Sequence, residues 1–260
     1  MKKILITGKN SYIGTSFEKY IKENFDGYVV DTIDMIDGSW RNTSFSGYDS
    51  VFHVAGIAHQ KETNENAHIY YEVNRDLAVE VAKKAKLDGV GQFVFLSSMS
   101  VYGMDTGVIT KETIPNPKSN YGKSKYQAEL EIEKNSAEHF RICIVRPPMV
   151  YGDGCKGNYR ALVKIADKFP ILPDYKNKRS MISVLNLSKF VKEYIDTNES
   201  GIFTPQDDEY VCTCEMIRQI REDFGKSYKL TKLVNPLIWL SVKLTTKGRK
   251  AFGDLIYLKY

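Results

Sequence analysis

The stretch ILITGKNSYIG, residues 4–14, runs from an apolar segment through a glycine-containing turn into a helix-like segment. In parallel sheets such a turn follows the first strand, and the N–H groups at the start of the helix bind the phosphates of a dinucleotide. Gly8 permits the tight turn, and Gly14 lets the helix pack against the sheet. Ser11 stands where a middle glycine is expected, but this position requires a small residue more than a glycine. The stretch therefore predicts a cofactor loop.

Six residues of this loop are expected to contact the cofactor, and an ordinary strand-to-helix turn is the alternative. They are Gly8, Asn10, Ser11, Tyr12, Ile13 and Gly14. The cofactor is favoured by Asp34, at the end of the second apolar run, where a carboxylate accepts hydrogen bonds from the adenosine ribose. The alternative role of Asp34 is to shape a turn. Its charge would repel a 2′-phosphate, although Lys9 and Arg41 could offset this, so NAD is favoured over NADP only slightly.

Apolar runs alternate with helix-period segments through the first 150 residues. The runs VFHVAG, GQFVFLSS and RICIVRP are nearly continuous in large apolar residues, as in strands that are covered on both faces. The sequence therefore predicts an α/β fold with a doubly wound parallel (Rossmann) sheet. Residues 1–150 form the dinucleotide-binding domain, with 180–205 returning to it. Residues 151–179 and 206–260 form a smaller C-terminal substrate-binding lobe.

Composition excludes several classes of protein. Four cysteines are too few and too unevenly spaced for a disulfide framework, and four histidines show no ligand spacing, so we expect no metal. Neither a signal peptide nor an apolar run of about 18 residues is visible, which favours a cytoplasmic protein. The formal net charge of +5 is concentrated in residues 226–260, with eight basic side chains and the single acid Asp254. This local distribution argues against a general nucleic-acid surface.

The segment YGKSK places Tyr121 and Lys125 four residues apart, on one face of a predicted helix. A free phenol has a pKa of about 10, and a nearby ammonium and an oxidised nicotinamide would both lower it. Tyr121 would then serve as a proton donor or acceptor. Ser98, in FLSSMSVYG, follows a strand at the edge where open sheets bind ligands, and its hydroxyl could bond the reacting oxygen. The combination of these residues with the glycine-containing loop predicts an oxidoreductase site.

These segments resemble the extended short-chain dehydrogenase/reductases, also called the NAD-dependent epimerase/dehydratase family. TGKNSYIG, VFHVAG, FLSSMSVYG, NYGKSK and RPPMVYG follow the order and approximate spacing of that family. The resemblance implies that Ser98, Tyr121 and Lys125 are the catalytic residues. It further implies residues that line the cofactor or the active-site floor, namely Ala55, Gly56, Asn74 and Pro148. Asn158 of KGNY and Arg179 of RSMISVLNL match positions that hold the diphosphate of a nucleotide sugar.

The sequence departs from the family pattern at Ser11, and at Asn186, where the family's V-x-D motif carries an aspartate. Within the family, RPPMVYG, GNY, LPDYKNKRS and AFGDLIY resemble the nucleotide-sugar 4-keto reductases of bacterial capsule and O-antigen loci. This implies reduction of a UDP-4-keto-6-deoxy-N-acetylhexosamine for surface polysaccharide biosynthesis. The alternatives are a UDP-sugar 4-epimerase that keeps its NAD, and a non-catalytic dinucleotide sensor, which would not need Ser98, Tyr121 or Lys125. We expect a homodimer.

The basic C-terminal region also contains the apolar run from Leu237 to Leu244. Pro236 limits any helix here to the part that follows Asn235. One hypothesis is a helix that packs on the small lobe or on a second subunit, with solvated lysines. The other is peripheral attachment to the anionic inner face of the membrane, where such sugars are passed to lipid carriers.

Overall fold

The computed structural model describes residues 1–58, 62–155 and 157–259. Its strands, in chain order, are β1 (Lys2–Thr7), β2 (Tyr28–Ile33), β3 (Ser50–His53), β4 (Gln92–Leu96), β5 (Gly107–Ile109), β6 (Arg141–Val145), β7 (Met149–Tyr151), β8 (Ile171–Pro173), β9 (Met181–Ser183), β10 (Gly201–Phe203), β11 (Lys229–Thr231) and β12 (Leu255–Tyr257). Its helices are α1 (Tyr12–Asn24), α2 (Ala67–Tyr71), α3 (Leu77–Leu87), α4 (Asn120–Glu133), α5 (Asn158–Lys168), α6 (Val184–Asp196), α7 (Thr213–Asp223), α8 (Asn235–Leu244) and α9 (Thr246–Phe252). A π-helical turn (Glu72–Asp76) joins α2 to α3, and a 3-10 turn covers Met99–Tyr102.

Six strands form one parallel sheet in the order β10-β6-β4-β3-β1-β2. The chain winds outward from β1 in both directions, which confirms the predicted doubly wound α/β fold. The register places His53 opposite both Thr7 and Phe95. Strands β1, β3 and β4 therefore end close together at one edge, and the segments that follow them can share a site.

Helices cover both faces of this sheet because neighbouring residues of a strand point to opposite sides. Val51 belongs to a core cluster with Ala82 of α3 and Ile132 of α4. The next residue, Phe52, contacts Phe17 of α1 edge to face, with the ring centroids 5.2 Å apart. The near-continuous apolar strands of the sequence are thus explained by burial on both sides.

The chain forms two compact units. Unit 1 comprises residues 1–103, 115–148 and 183–205, and unit 2 comprises residues 104–114, 149–182 and 206–260. The sequence places residues 104–114 in the first domain, whereas the structure places them in unit 2. The physical reason is that β5 pairs in parallel with β12, which lies far along the chain. No local sequence pattern predicts this pairing.

Unit 2 is held by short strand pairs and a small apolar core. Its two-stranded sheets join β5 to β12, β8 to β11 and β7 to β9. Leu162 and Ala166 of α5 pack against Ile217 and Ile220 of α7. Helix α8 begins at Asn235 with a proline in its first turn, as the sequence predicts, and none of its residues is buried. In the described ranges no helix has both the length and the apolar character that crossing a bilayer requires.

The first turn of unit 1 depends on a close approach of two backbone segments at Gly8. This residue has a φ of +109°, and a Cβ built on it would lie 2.9 Å from the amide nitrogen of Ala55. Gly27 also has a positive φ, of +89°, but a Cβ there would meet no atom within 4 Å. Both glycines therefore have a backbone conformation with a positive φ, but only at Gly8 would a side chain meet a neighbouring segment.

We expect Gly8→Ala to lower the free energy of unfolding more than Gly27→Ala does. Both substitutions force an L residue to a positive φ, which costs about 1 kcal/mol. Only Gly8→Ala also presses a methyl group against Ala55, which adds about 1–3 kcal/mol. Urea unfolding of both variants measures the difference, and equal losses would show that the approach to Ala55 is not tight.

Candidate active site

The turn after β1 is held by a helix cap at Ser11 and by close packing at Gly14. Ser11 is the N-cap of α1, and its Oγ accepts a hydrogen bond from the N–H of Gly14 at 3.2 Å. A Cβ on Gly14 would lie 2.5 Å from that Oγ and 3.1 Å from Ile6 Cγ2. A hydroxyl that accepts this bond keeps its own proton to donate. Ser11 can therefore cap the helix and still bind a phosphate oxygen.

Two of the residues expected near the ribose of the cofactor form hydrogen bonds within the protein. Oδ1 of Asp34, just after β2, accepts a hydrogen bond from Ile36 N–H at 2.9 Å, so the carboxylate also shapes a turn. Arg41 donates to both carboxylate oxygens of Glu80, at 2.5 and 2.6 Å. One of the two cations that could offset a 2′-phosphate is thus bound to an acid of α3.

Asn74 joins the segment after β3 to α4. Its Oδ1 accepts from Ile57 N–H at 2.9 Å, while its Nδ2 donates to Ile57 O at 3.1 Å and to Ser124 Oγ at 3.2 Å. Asn74 is fully buried and lies in the π-helical turn, a local geometry that recurs at functional sites. A Cβ on Gly56 would lie 2.8 Å from Asn74 Oδ1 and 3.3 Å from Lys125 Nζ. The structure therefore brings Gly56, Asn74 and Lys125 together.

The start of α4 is fixed from two sides. The carboxylate of Glu62 accepts hydrogen bonds from the N–H groups of Asn120, at 2.9 Å, and Tyr121, at 3.1 Å. A carboxylate at this end of a helix is also favoured by the helix dipole. A Cβ on Gly122 would lie 2.6 Å from Ser100 O, so α4 contacts the 3-10 turn directly. This contact sets Tyr121 beside the loop that carries Ser98.

Tyr121 and Ser98 interact through their side chains. Burial raises the pKa of the Tyr121 phenol, and a hydrogen bond with Ser98 lowers it in part. The lowering of this pKa that the sequence predicts is for a site that also holds an oxidised nicotinamide. Ser98 Oγ is also the N-cap of the 3-10 turn, where it accepts from Ser100 N–H at 3.1 Å.

Lys125 is a cation inside the protein, with only 4% of its surface exposed. Its Nζ donates to Leu96 O at 2.9 Å and lies 4.7 Å from the centre of the Phe95 ring. Burial lowers the pKa of Lys125 to about 8, although the carboxylate of Glu129 opposes this. The ammonium is therefore held at the end of β4, next to Gly56, at a substantial desolvation cost.

A buried ion pair, Glu129–Arg146, lies one helical turn beyond Lys125. Arg146 Nη2 donates to Glu129 Oε2 at 2.6 Å, and the two side chains are 6% and 2% exposed. Arg146 Nη1 also donates to the Tyr102 hydroxyl at 2.9 Å, and the Ser97 hydroxyl donates to Glu129. This pair is not among the residues predicted from the sequence. The signal was present, because residues 121, 125 and 129 recur every fourth position on one helix face.

Residues 4–189 match the NAD dependent epimerase/dehydratase family. The chain belongs to this family. This epimerase/dehydratase is therefore an enzyme that uses NAD or NADP, as the sequence motifs predict. The loop at Gly8, the cap at Ser11 and the carboxylate of Asp34 fit the diphosphate and ribose of such a cofactor.

Relatives of known activity cover most of this family member. A UDP-glucose 4-epimerase of Vibrio cholerae is 31% identical in an alignment 247 positions long, which covers 84% of this chain and 75% of that protein. An N-acetyl-α-D-glucosaminyl-diphospho-ditrans,octacis-undecaprenol 4-epimerase of Escherichia coli O157:H7 is 25% identical in an alignment 253 positions long, which covers 90% of this chain and 76% of that protein. The crystal structure of a dTDP-4-dehydrorhamnose reductase from Clostridium acetobutylicum has the same fold, with a TM-score of 0.73 and 21% identity over 96% of this chain and 98% of that chain.

Arg179, one of the two residues that the sequence assigns to a diphosphate, is held in unit 2 by main-chain carbonyl groups. Arg179 Nη1 donates to Gly253 O at 2.8 Å and to Arg249 O at 3.4 Å, and burial lowers the pKa of the guanidinium. The side chain of Asn158 lies outside the described residues. In unit 1, Asn186 lies in the first turn of α6, where its N–H donates to Ser183 Oγ at 3.1 Å. Among the described residues, no cluster of three or more His, Cys, Asp or Glu could hold a metal ion.

We expect Lys125→Met to stabilise the fold at pH 7. The folded pKa of about 8 lies below the unfolded value of about 10.4. Below pH 8 the ammonium is charged in both states, so its burial cost is fully present there. Between the two values the unfolded chain binds more protons, so the stability of the wild type rises with pH. The variant should exceed the wild type by roughly 1–3 kcal/mol at pH 7 and by less at pH 9.5. Urea unfolding at both pH values measures this, and a pH-independent difference would contradict it.

We expect Arg146→Met to destabilise unit 1 by about 3–5 kcal/mol, because it leaves the Glu129 carboxylate buried without a counter-charge. Arg146→Met combined with Glu129→Gln should recover part of the loss. Lys176→Met is the control, since its 2.5 Å pair with Glu215 has side chains 73% and 48% exposed and should contribute less than about 1 kcal/mol. Chemical denaturation compares the variants, and a double variant as unstable as the single one would refute the charge argument.

Proposed function

We propose that this epimerase/dehydratase acts at C4 of a UDP-linked sugar, and that it reduces a UDP-4-keto-6-deoxy-N-acetylhexosamine. One observation carries the proposal. The Tyr121 phenol of α4 interacts with Ser98. The same face of α4 carries the buried Lys125 cation, which lies at the edge of the sheet. This arrangement offers a proton, a hydrogen-bond donor and a positive charge to one carbonyl oxygen. The resemblance to 4-keto reductases of capsule and O-antigen loci supports the choice of sugar.

The chain's own residues supply the proton and the charge for this reaction. When bound, the reduced nicotinamide cofactor supplies a hydride to C4. Tyr121 donates its proton to the oxygen at C4 as that oxygen gains negative charge. Its raised pKa keeps the phenol protonated at neutral pH, which suits a proton donor. Ser98 donates a hydrogen bond to the same oxygen, and Lys125 stabilises the phenolate that remains.

The cofactor-binding residues favour NADH over NADPH. Gly8, Ser11 and Gly14 would hold the diphosphate, with Ala55, Gly56 and Pro148 beside the cofactor. The Asp34 carboxylate suits ribose hydroxyls and repels a 2′-phosphate. Arg41 does little to offset that repulsion, because its guanidinium is bound to both oxygens of Glu80.

The diphosphate of the sugar nucleotide is assigned to unit 2. Arg179 is the proposed ligand, together with Asn158. The carbonyl groups of Gly253 and Arg249 fix one end of the guanidinium, so little side-chain entropy would be lost on binding.

A 4-epimerase is the second candidate, because the relatives from Vibrio cholerae and Escherichia coli are both 4-epimerases by name. The same three residues would serve it, with Tyr121 first accepting the proton from the C4 hydroxyl and later returning it. This direction needs a phenolate at the outset. An oxidised nicotinamide and Lys125 would both favour that phenolate.

The two reactions differ in their need for reductant. We expect the purified protein to oxidise NADH, and NADPH more slowly, when UDP-4-keto-6-deoxy-N-acetylglucosamine is added, as measured by the loss of reduced-cofactor absorbance. Incubation of UDP-glucose and of UDP-N-acetylglucosamine without added reductant, followed by chromatography, tests the epimerase. Formation of the C4 epimer without NADH consumption would replace the first proposal with the second.

Tyr121→Phe identifies the site responsible for any activity. Removal of the phenolic hydroxyl should lower turnover by about 100-fold or more and leave cofactor affinity nearly unchanged. Tyr126→Phe, on the same helix, is the matched control and should keep full activity. A Tyr121→Phe variant that retains most of its turnover would remove this residue from the mechanism.

A further inference from the structure

Helix α8 presents an apolar stripe away from the body of unit 2. Leu237, Leu240 and Leu244 are spaced by three and four residues, so they share one face of the helix. They are 68%, 45% and 71% exposed. An unpartnered stripe of this kind on a surface helix is unusual, because helices of soluble domains ordinarily turn such a face to the core.

The part of the chain that contains this apolar stripe is strongly basic. Residues 226–260 carry eight basic side chains and one acid. The ion pairs that the described residues form in this region leave out four of the lysines, which are Lys229, Lys243, Lys247 and Lys259. Lys243 Nζ lies 5.7 Å from the centre of the Trp239 ring, and this indole is 54% exposed. Helix α8 thus combines leucines with a tryptophan and Lys243, and Lys247 follows in α9, which is a composition found in segments that lie in a membrane interface.

We propose that α8 docks on an anionic lipid bilayer, with the apolar stripe in the interface and Lys243 and Lys247 at the headgroups. A helix of 10 residues is about 15 Å long and cannot span the hydrocarbon core, so it would lie in the plane of the surface. The positive charge together with the leucines favours an anionic bilayer over a second copy of the chain or a nucleic acid. A second copy of the chain would bring the same lysines against each other, and a nucleic acid would leave the leucines in water.

Co-sedimentation of the full chain with vesicles tests the proposal. The vesicles are phosphatidylcholine alone or phosphatidylcholine with added phosphatidylglycerol, at low salt and at about 0.5 M salt, which screens the surface charges. We expect binding to the anionic vesicles at low salt and its loss at high salt. Trp239 provides an independent signal. The only other tryptophan, Trp40, is fully buried, so a blue shift of the fluorescence on adding vesicles reports α8.

Two pairs of substitutions separate the apolar and electrostatic contributions. Leu237→Ser with Leu240→Ser, and Lys243→Gln with Lys247→Gln, should each weaken partitioning by about tenfold or more. The controls are Leu87→Ser, at a position 86% exposed in unit 1, and Lys83→Gln with Lys168→Gln. They should partition like the wild type. Circular dichroism melting checks that every variant is folded.

Several results would overturn the proposal. These are no sedimentation at low salt, equal binding to neutral vesicles, or full binding by the Leu237→Ser and Leu240→Ser variant. Sedimentation velocity could give a further result that overturns it. A dimer that this leucine variant dissociates would show that the apolar stripe is a subunit contact and not a membrane face.

Discussion

The candidate site is organised around the cost of burying the Lys125 ammonium. A charge in the interior loses several kcal/mol of hydration unless neighbouring groups replace the water. Here the replacements come from three parts of unit 1, namely the carbonyl of Leu96 at the end of β4, the face of the Phe95 ring and the carboxylate of Glu129. Each has to be in place for the cation to be tolerated, so the position of α4 on the sheet is tightly constrained.

Arg146 and Lys125 compete for one carboxylate, and the geometry favours Arg146. Its guanidinium binds both oxygens of Glu129 within 3.2 Å, whereas Lys125 Nζ donates its hydrogen bond to a main-chain carbonyl. A carboxylate shared in this way stabilises the ammonium only in part. The pKa of Lys125 therefore remains low, and its charge responds to small changes in its surroundings near neutral pH.

The sequence was sufficient for the unit 1 fold, because near-continuous apolar strands, the turn at Gly8 and the spacing of Tyr121 and Lys125 are local patterns. It could not reveal contacts that depend on distant pairing. The assignment of residues 104–114 to unit 2 depends on β12, and the engagement of Arg41 by Glu80 depends on the packing of α3. The burial that raises the pKa of Tyr121 is another property that depends on distant parts of the chain. Spacing shows which charge is near on a helix, but it does not show how deeply the phenol is buried.

The pairing of β5 with β12 has a consequence for synthesis on the ribosome. The chain emerges in order, so β5 leaves the exit tunnel well before the strand that completes its sheet. In that interval the backbone groups of β5 have no ladder partner, and an unpaired strand edge is a template for intermolecular pairing. Unit 1 also receives its last piece, residues 183–205, only after two segments of unit 2 have been made. Neither unit can therefore complete its fold until segments of the other have been made.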